Sequence, residues 1–149
     1  MNRINTIEDV QQLNLPKISD VRGNITFIES GRPISFLIKR VYWIYDVPGG
    51  ETRGGHAYQT LKELFIALSG SFNVVVDDGH NMKSVTLNRP YVGLYVPDMI
   101  WRRLENFSTN SVCLVLASLP YSTEEYIRDY GDYLHTINKN KDNHDSNNR

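Results

Sequence analysis

Cysteine is almost missing from this chain: Cys113 is the only one in 149 residues. No intramolecular disulfide is possible, which fits a reducing cytoplasm and leaves stability to a packed core. Cys113 sits in the apolar run 111–118, where a thiol is expected to be a small buried hydrophobe and not a nucleophile. An excess of charge of either sign is missing too, since 16 Lys and Arg face 17 Asp and Glu for a formal net charge of -1. A balanced chain has no bulk field to draw it onto nucleic acid or an anionic membrane, so an anionic ligand must be gripped by local arginines. No apolar run approaches the ~20 residues of a membrane helix. Residues 1–15 lack the basic-then-apolar order of a secretory signal, so a cytoplasmic location is expected. The length allows one core, expected over residues 1–138, and no second domain.

Short runs rich in Val, Ile, Phe, Tyr and Leu are plentiful, each closed by Gly, Pro, Asn or Asp. This pattern predicts an all-β barrel or sandwich. The expected strands are Asn24–Glu29, Ile34–Val47, Leu61–Leu68, Phe72–Asp77, Ser84–Leu87, Gly93–Val96, Arg102–Phe107 and Val112–Ser118. Asp78-Gly79 and Gly49-Gly50 are turn signals. One C-terminal helix is expected over Ser122–Asn138: Ser122 and Glu125 read as a capping box, and Tyr126, Tyr130, Tyr133 and Leu134 recur near helical spacing, with a break possible at Gly131. Residues 139–149 hold no apolar side chain and are expected to be a disordered tail.

The stretch Thr52–Glu63 carries the chemistry. In extended chain His56 and Tyr58 share one face and can both look into a barrel. Arg40 and Tyr42 share a face in the same way, and Arg53 precedes His56 by three. Of Arg102 and Arg103, alternation lets one face the interior; Arg102 shares parity with Leu104 and Asn106, while Arg103 and Glu105 read as solvated. Taken alone, His56 reads as a core histidine bonded to a carbonyl, Tyr58 as a filler aromatic or a proton relay, and Glu63 as a partner for His56 or a structural acceptor. Trp101 and Tyr95 read as packing or as stacking platforms. His80, His135 and His144 are assigned no chemistry.

These residues resemble the cupin superfamily, whose first motif runs Gly, five residues, His-x-His, three or four residues, Glu, six residues, Gly. His56, Glu63 and Gly70 match it, with Tyr58 at the second histidine. The second motif is matched at Pro97 and Asn106, with Met99 for its glycine and Arg102 for its histidine. The resemblance implies a jelly-roll barrel. Two of the four usual metal ligands are replaced, one by a permanent cation, so no metal and no cofactor is expected.

A narrower resemblance spans about Leu15 to Leu134 through Asp20-Val-Arg-Gly23, Ile38-Lys-Arg-Val-Tyr42, Arg53-Gly-Gly-His-Ala57, Leu68-Ser-Gly70, Asp77-Asp-Gly79, Gly93-Leu-Tyr95, Ile100-Trp101, Val115-Leu-Ala-Ser118 and Tyr126-Ile-Arg-Asp-Tyr130. Together these are similar to the dTDP-4-keto-6-deoxyglucose 3,4-ketoisomerases of the WxcM-like family. The resemblance implies a homodimer, paired through its N-terminal segment, that moves the keto group of a dTDP-linked keto-sugar from C4 to C3 ahead of an aminotransferase. It implies His56 as the base and Tyr58, in place of a second histidine, as a slower proton relay. Arg40, Tyr42 and Arg53 are expected to hold the diphosphate and stabilise oxyanion charge, and Arg22, Trp101 and Arg102 to touch the substrate. A sugar-nucleotide epimerase and a non-catalytic sugar-nucleotide binder are the alternatives; a metal-dependent dioxygenase or sensor is disfavoured.

Overall fold

The structure is a computed structural model that describes residues 3–147. The strands are β1 Gln11–Asn14, β2 Lys17–Asp20, β3 Gly23–Thr26, β4 Arg40–Tyr45, β5 Arg53–Tyr58, β6 Glu63–Ser69, β7 Phe72–Asp77, β8 Met82–Leu87, β9 Val92–Val96, β10 Trp101–Glu105, β11 Val112–Ala117 and β12 Tyr126–Ile127; α1 spans Tyr130–Asn147. One five-stranded sheet has the order β1-β9-β6-β11-β4 and a second the order β12-β5-β10-β7-β8. All neighbours within them are antiparallel. The two sheets form the expected all-β jelly roll with one C-terminal helix.

Alternation places the core. Phe65 and Ala67 of β6, Phe72, Val74 and Val76 of β7, Leu104 of β10, and Cys113 and Val115 of β11 form the main cluster. Intervening Leu64, Ile66 and Leu116 point to the back of the first sheet, where Leu15, Ile34 and Phe36 cover them. β6 is therefore buried on both faces, and its near-continuous apolar sequence reflects that. The Cys113 thiol is fully buried, and burial pushes its pKa up, away from thiolate chemistry. Among the described residues no helix is long and apolar enough to cross a membrane.

Several expectations are corrected. The run Ile34–Val47 is not one strand: β4 begins only at Arg40, because Ile34 and Phe36 are drawn onto the back of the first sheet. β1 and β2 come from polar sequence with no strand signal; β1 exists because β9 offers it a ladder. Among the described residues β2 and β3 pair only with each other, and this hairpin leaves Ile18, Val21 and Ile25 exposed. Ser122 caps nothing with its side chain: residues 123–125 form one 3-10 turn and 126–127 a strand, and the helix starts at Tyr130 with Gly131 in its first turn. It then runs through 139–147, residues expected to be disordered. No Pro, Gly or β-branched residue interrupts them, so helical bonding continues once Tyr133 and Ile137 anchor the first turns. Residues 148 and 149 of that tail lie outside the described residues.

Candidate active site

A cavity of about 430 Å³ opens between the sheets, and its walls include Arg40, Tyr42, Arg53, His56, Tyr58, Glu63, Arg102 and Tyr126. Five strands aim these side chains, with β6 supplying Glu63 and β12 Tyr126. β4 alternates, sending Arg40, Tyr42 and Ile44 inward and Val41, Trp43 and Tyr45 to the exposed face. β5 and β10 pair with Arg102 directly opposite His56, so the guanidinium and the imidazole stand on one face of the sheet.

The ladder then slips. Arg102 pairs with His56 but Leu104 with Arg53, so three steps on β5 oppose two on β10. Gly54 absorbs the extra residue at φ +73°, a conformation open to glycine. Its missing Cβ also matters, since one placed there would meet His56 Cε1 at 3.4 Å. Arg53-Gly54-Gly55 is thus a bulge that aims the histidine.

The floor of the cavity is an ion pair. Arg102 Nη1 donates to Glu63 Oε1 at 2.7 Å, and the two side chains are 1% and 0% exposed. Arg102 also donates from Nε to Ile100 O at 3.1 Å and from Nη2 to Pro97 O at 3.0 Å and Ile100 O at 2.8 Å. The hydroxyl of Tyr42 donates to the other oxygen, Oε2, of Glu63. Burial beside that carboxylate pushes the Tyr42 phenol up, well above its ordinary value. The guanidinium lies 5.0 Å from the Tyr58 ring centre. Tyr58 is itself buried, and burial followed by the Glu63 charge raises its pKa, so it remains a neutral phenol.

The His56 ring is flanked by two aromatic side chains. Its centroid lies 4.7 Å from Tyr58 and 5.0 Å from Tyr126. Its Nε2 is buried and has no hydrogen-bond partner among the described residues. Arg40 Nε is likewise buried and unpartnered. Burial, and then the charges of Arg102, Arg128 and Arg40, lower the His56 pKa to about 3. The imidazole is therefore neutral, with a lone pair available to accept a proton.

The cupin metal positions correspond to His56, Tyr58, Glu63 and Arg102. Both oxygens of Glu63 accept hydrogen bonds, one of them from a guanidinium, and Tyr58 stays protonated. This donor set does not fit a transition metal.

Six of the eight expected site residues, Arg40, Tyr42, Arg53, His56, Tyr58 and Arg102, meet in the cavity. Two do not. Trp101 points to the opposite face of β10 from Arg102 and packs on Tyr130 and Tyr133, at centroid distances of 5.2 and 5.5 Å. Arg22 lies in the turn of the β2–β3 hairpin, 86% exposed and paired with Asp20. Arg102 reaches the cavity, but four of its five N–H groups already have acceptors. Its influence there is mainly its charge. Arg103 bonds Glu105 at 3.1 Å on the other face, as its parity implied.

Tyr126 also lines the cavity, and it does so from a strand and not from the helix that its spacing predicts. Local periodicity gives no signal for a two-residue strand. What holds it there is distant: Tyr126 pairs with Tyr58, and Ile127 with Ala57.

The family described as WxcM-like, C-terminal (FdtA) matches residues 8–138. The chain is 42% identical over 127 residues to the TDP-4-oxo-6-deoxy-alpha-D-glucose-3,4-oxoisomerase of Aneurinibacillus thermoaerophilus, covering 85% of this chain and 91% of that one. A 3,4-ketoisomerase structure from Helicobacter canadensis superposes with TM-score 0.85 at 42% identity, covering 87% of this chain and 98% of that one. A sugar 3,4-ketoisomerase from Thermoanaerobacterium thermosaccharolyticum, solved in complex with TDP, superposes with TM-score 0.87 at 36% identity, covering 91% and 98%. With a jelly roll and an arginine-rich cavity around an unpaired histidine, this chain belongs to the WxcM-like, C-terminal family.

Proposed function

We propose that the protein is a TDP-sugar 3,4-ketoisomerase that moves the keto group of a TDP-linked 6-deoxy-4-hexulose from C4 to C3. The observation that carries this reading is the buried, unpartnered Nε2 of His56 in a cavity whose other buried free polar atom belongs to Arg40. A hydrogen on C3, α to a carbonyl, can be removed by the neutral imidazole once the diphosphate of the substrate offsets the arginine charges that help hold the His56 pKa low. His56 takes that proton and the electron pair enters a C3–C4 double bond, giving an enediolate whose charge the guanidinium groups stabilise. A proton is then delivered to C4.

Arg40 and Arg53 are suited to the diphosphate: Arg40 stands in the wall and Arg53 is exposed at its edge. Tyr42 has committed its one proton to Glu63, so it offers substrate a lone pair only. Tyr58 is suited to relaying a proton as a neutral phenol. No step requires a cofactor.

The exposed apolar side chains of the β2–β3 hairpin, Ile18, Val21 and Ile25, support a homodimer in which this arm packs on a second copy. Arg22 at its tip then enters the partner's cavity. The one buried thiol is in keeping with the cytoplasm.

The test is incubation of the purified protein with TDP-4-keto-6-deoxyglucose in deuterated water, followed by NMR. Appearance of a 3-keto product supports the reading. Deuterium at C3 or C5 with the carbonyl still at C4 means an epimerase. Binding by calorimetry without turnover, as the loss of the second histidine to Tyr58 favours, means a non-catalytic binder.

A further inference from the structure

We infer that Tyr126 is a further catalytic residue, whose phenol carries the hydroxyl proton between the O3 and O4 oxygens of the sugar while His56 handles the carbon-bound hydrogen. This rests on the ketoisomerase reading.

The fold goes to some length to put this ring in the cavity. After β11 the chain leaves the first sheet and returns as a two-residue strand on the edge of the second, next to the strand that carries His56. Tyr126 is directly opposite Tyr58, and directly opposed residues of antiparallel strands project to the same face. Ile127 and Ala57, one step on, point the other way into the cluster around Tyr133 and Ile137. The two phenol rings meet at 4.7 Å, and Tyr126 also flanks the imidazole.

The residues just before Tyr126 are clamped. Glu125 accepts from Thr60 N at 2.9 Å, Thr60 Oγ1 at 2.8 Å and Leu61 N at 3.2 Å, and its carbonyl accepts from Gln59 N at 3.0 Å. The glutamate that looked like a helix cap is therefore a fastener between this strand and the end of β5. The Arg128 guanidinium covers the Tyr126 ring at 4.2 Å.

Access distinguishes the two phenols. Tyr58 is 1% exposed and backs onto Arg102, whereas Tyr126 is only half-buried and lines the same cavity. A sugar entering from outside meets Tyr126 first.

The reaction moves two hydrogens. The C3–H bond breaks toward His56 and its electrons form the C3–C4 double bond as the carbonyl electrons pass to O4. Tyr126 gives its proton to O4 while accepting the proton of O3, a double role open to a hydroxyl group. The O3 anion closes to a new carbonyl at C3, and C4 takes the proton from the imidazolium. The phenol ends as it began, and nothing is oxidised or reduced overall.

The experiment compares wild type with Tyr126→Phe, which keeps the ring, in deuterated water with TDP-4-keto-6-deoxyglucose. Loss of C3–H from substrate and formation of 3-keto product are followed together by NMR. The proposal expects exchange at C3 to persist within a few-fold of wild type while product formation falls about 100-fold, the scale of a lost proton-transfer group. Unchanged TDP affinity by calorimetry shows that the variant is folded. A second variant, Glu125→Gln, keeps part of the clamp and should show the same split more weakly. If product formation by Tyr126→Phe stays near wild type, or exchange and product fall in parallel, the proposal is overturned. Failure of the wild-type protein itself to make 3-keto product overturns the underlying reading instead.

Discussion

Arg102 and Glu63 form a salt bridge of 2.7 Å with neither side chain open to solvent, at positions where a cupin commonly offers a metal two ligands. A buried pair of this kind is stabilising only while complete, since either partner left alone is an uncompensated charge. Arg102→Met should cost about 3–5 kcal/mol by urea unfolding. The double variant Arg102→Met with Glu63→Gln should recover most of the loss. A single variant as stable as wild type would show that the pair does not hold the cavity floor.

The pKa of His56, lowered to about 3 by burial and three arginines, links the proposed base to pH and to the proposed ligand. The folded protein binds this proton only near pH 3, whereas the unfolded chain binds it near 6.5. Between these values the unfolded state holds more protons, so the contribution of His56 to stability is complete above about pH 6.5 and is lost as pH falls toward 3. His56→Asn should flatten that part of the stability curve. An entering diphosphate offsets the arginine charges, so saturating TDP should raise the His56 pKa, read from the pH dependence of its ring NMR shifts. A pKa unmoved by TDP would contradict the arrangement.

Gly54 is the bulge residue that aims His56. Gly54→Ala places a side chain at φ +73° and against the imidazole. Stability should fall by roughly 1 kcal/mol, and kcat should fall more than TDP affinity. Equal losses in both would indicate general damage to the cavity.

Arg22 lies outside its own cavity, and the dimer proposal has it serve the partner's. Arg22→Ala and His56→Asn proteins, each impaired alone, should on mixing and re-equilibration regain up to about a quarter of wild-type activity, because each mixed dimer then has one complete site. No recovery despite subunit exchange would place Arg22 elsewhere.

Much of this was legible in the sequence because β alternation is a strong local signal. The spacing of His56 and Tyr58, the shared parity of Arg40 and Tyr42, and the opposite parity of Arg102 and Arg103 all follow from a period of two. What was not legible depends on partners far along the chain. β1 and β12 are strands because β9 and β5 pair with them, and Glu125 left the capping role for backbone donors 64 and 65 residues away. Trp101 is an aromatic suited to stacking, yet the alternation that turns Arg102 inward turns its neighbour outward. That Arg102 would spend its donors on Glu63, Pro97 and Ile100 needs three-dimensional contacts that no spacing encodes.

The most direct test of the role of His56 is substrate chemistry with that one residue changed. Wild type and His56→Asn are incubated with TDP-4-keto-6-deoxyglucose in deuterated water, and NMR follows both deuterium entering the sugar and the position of the carbonyl. The account predicts that wild type moves the carbonyl to C3, while His56→Asn binds TDP but exchanges no C3 hydrogen and makes no product. Turnover by the asparagine variant at the wild-type rate would contradict it.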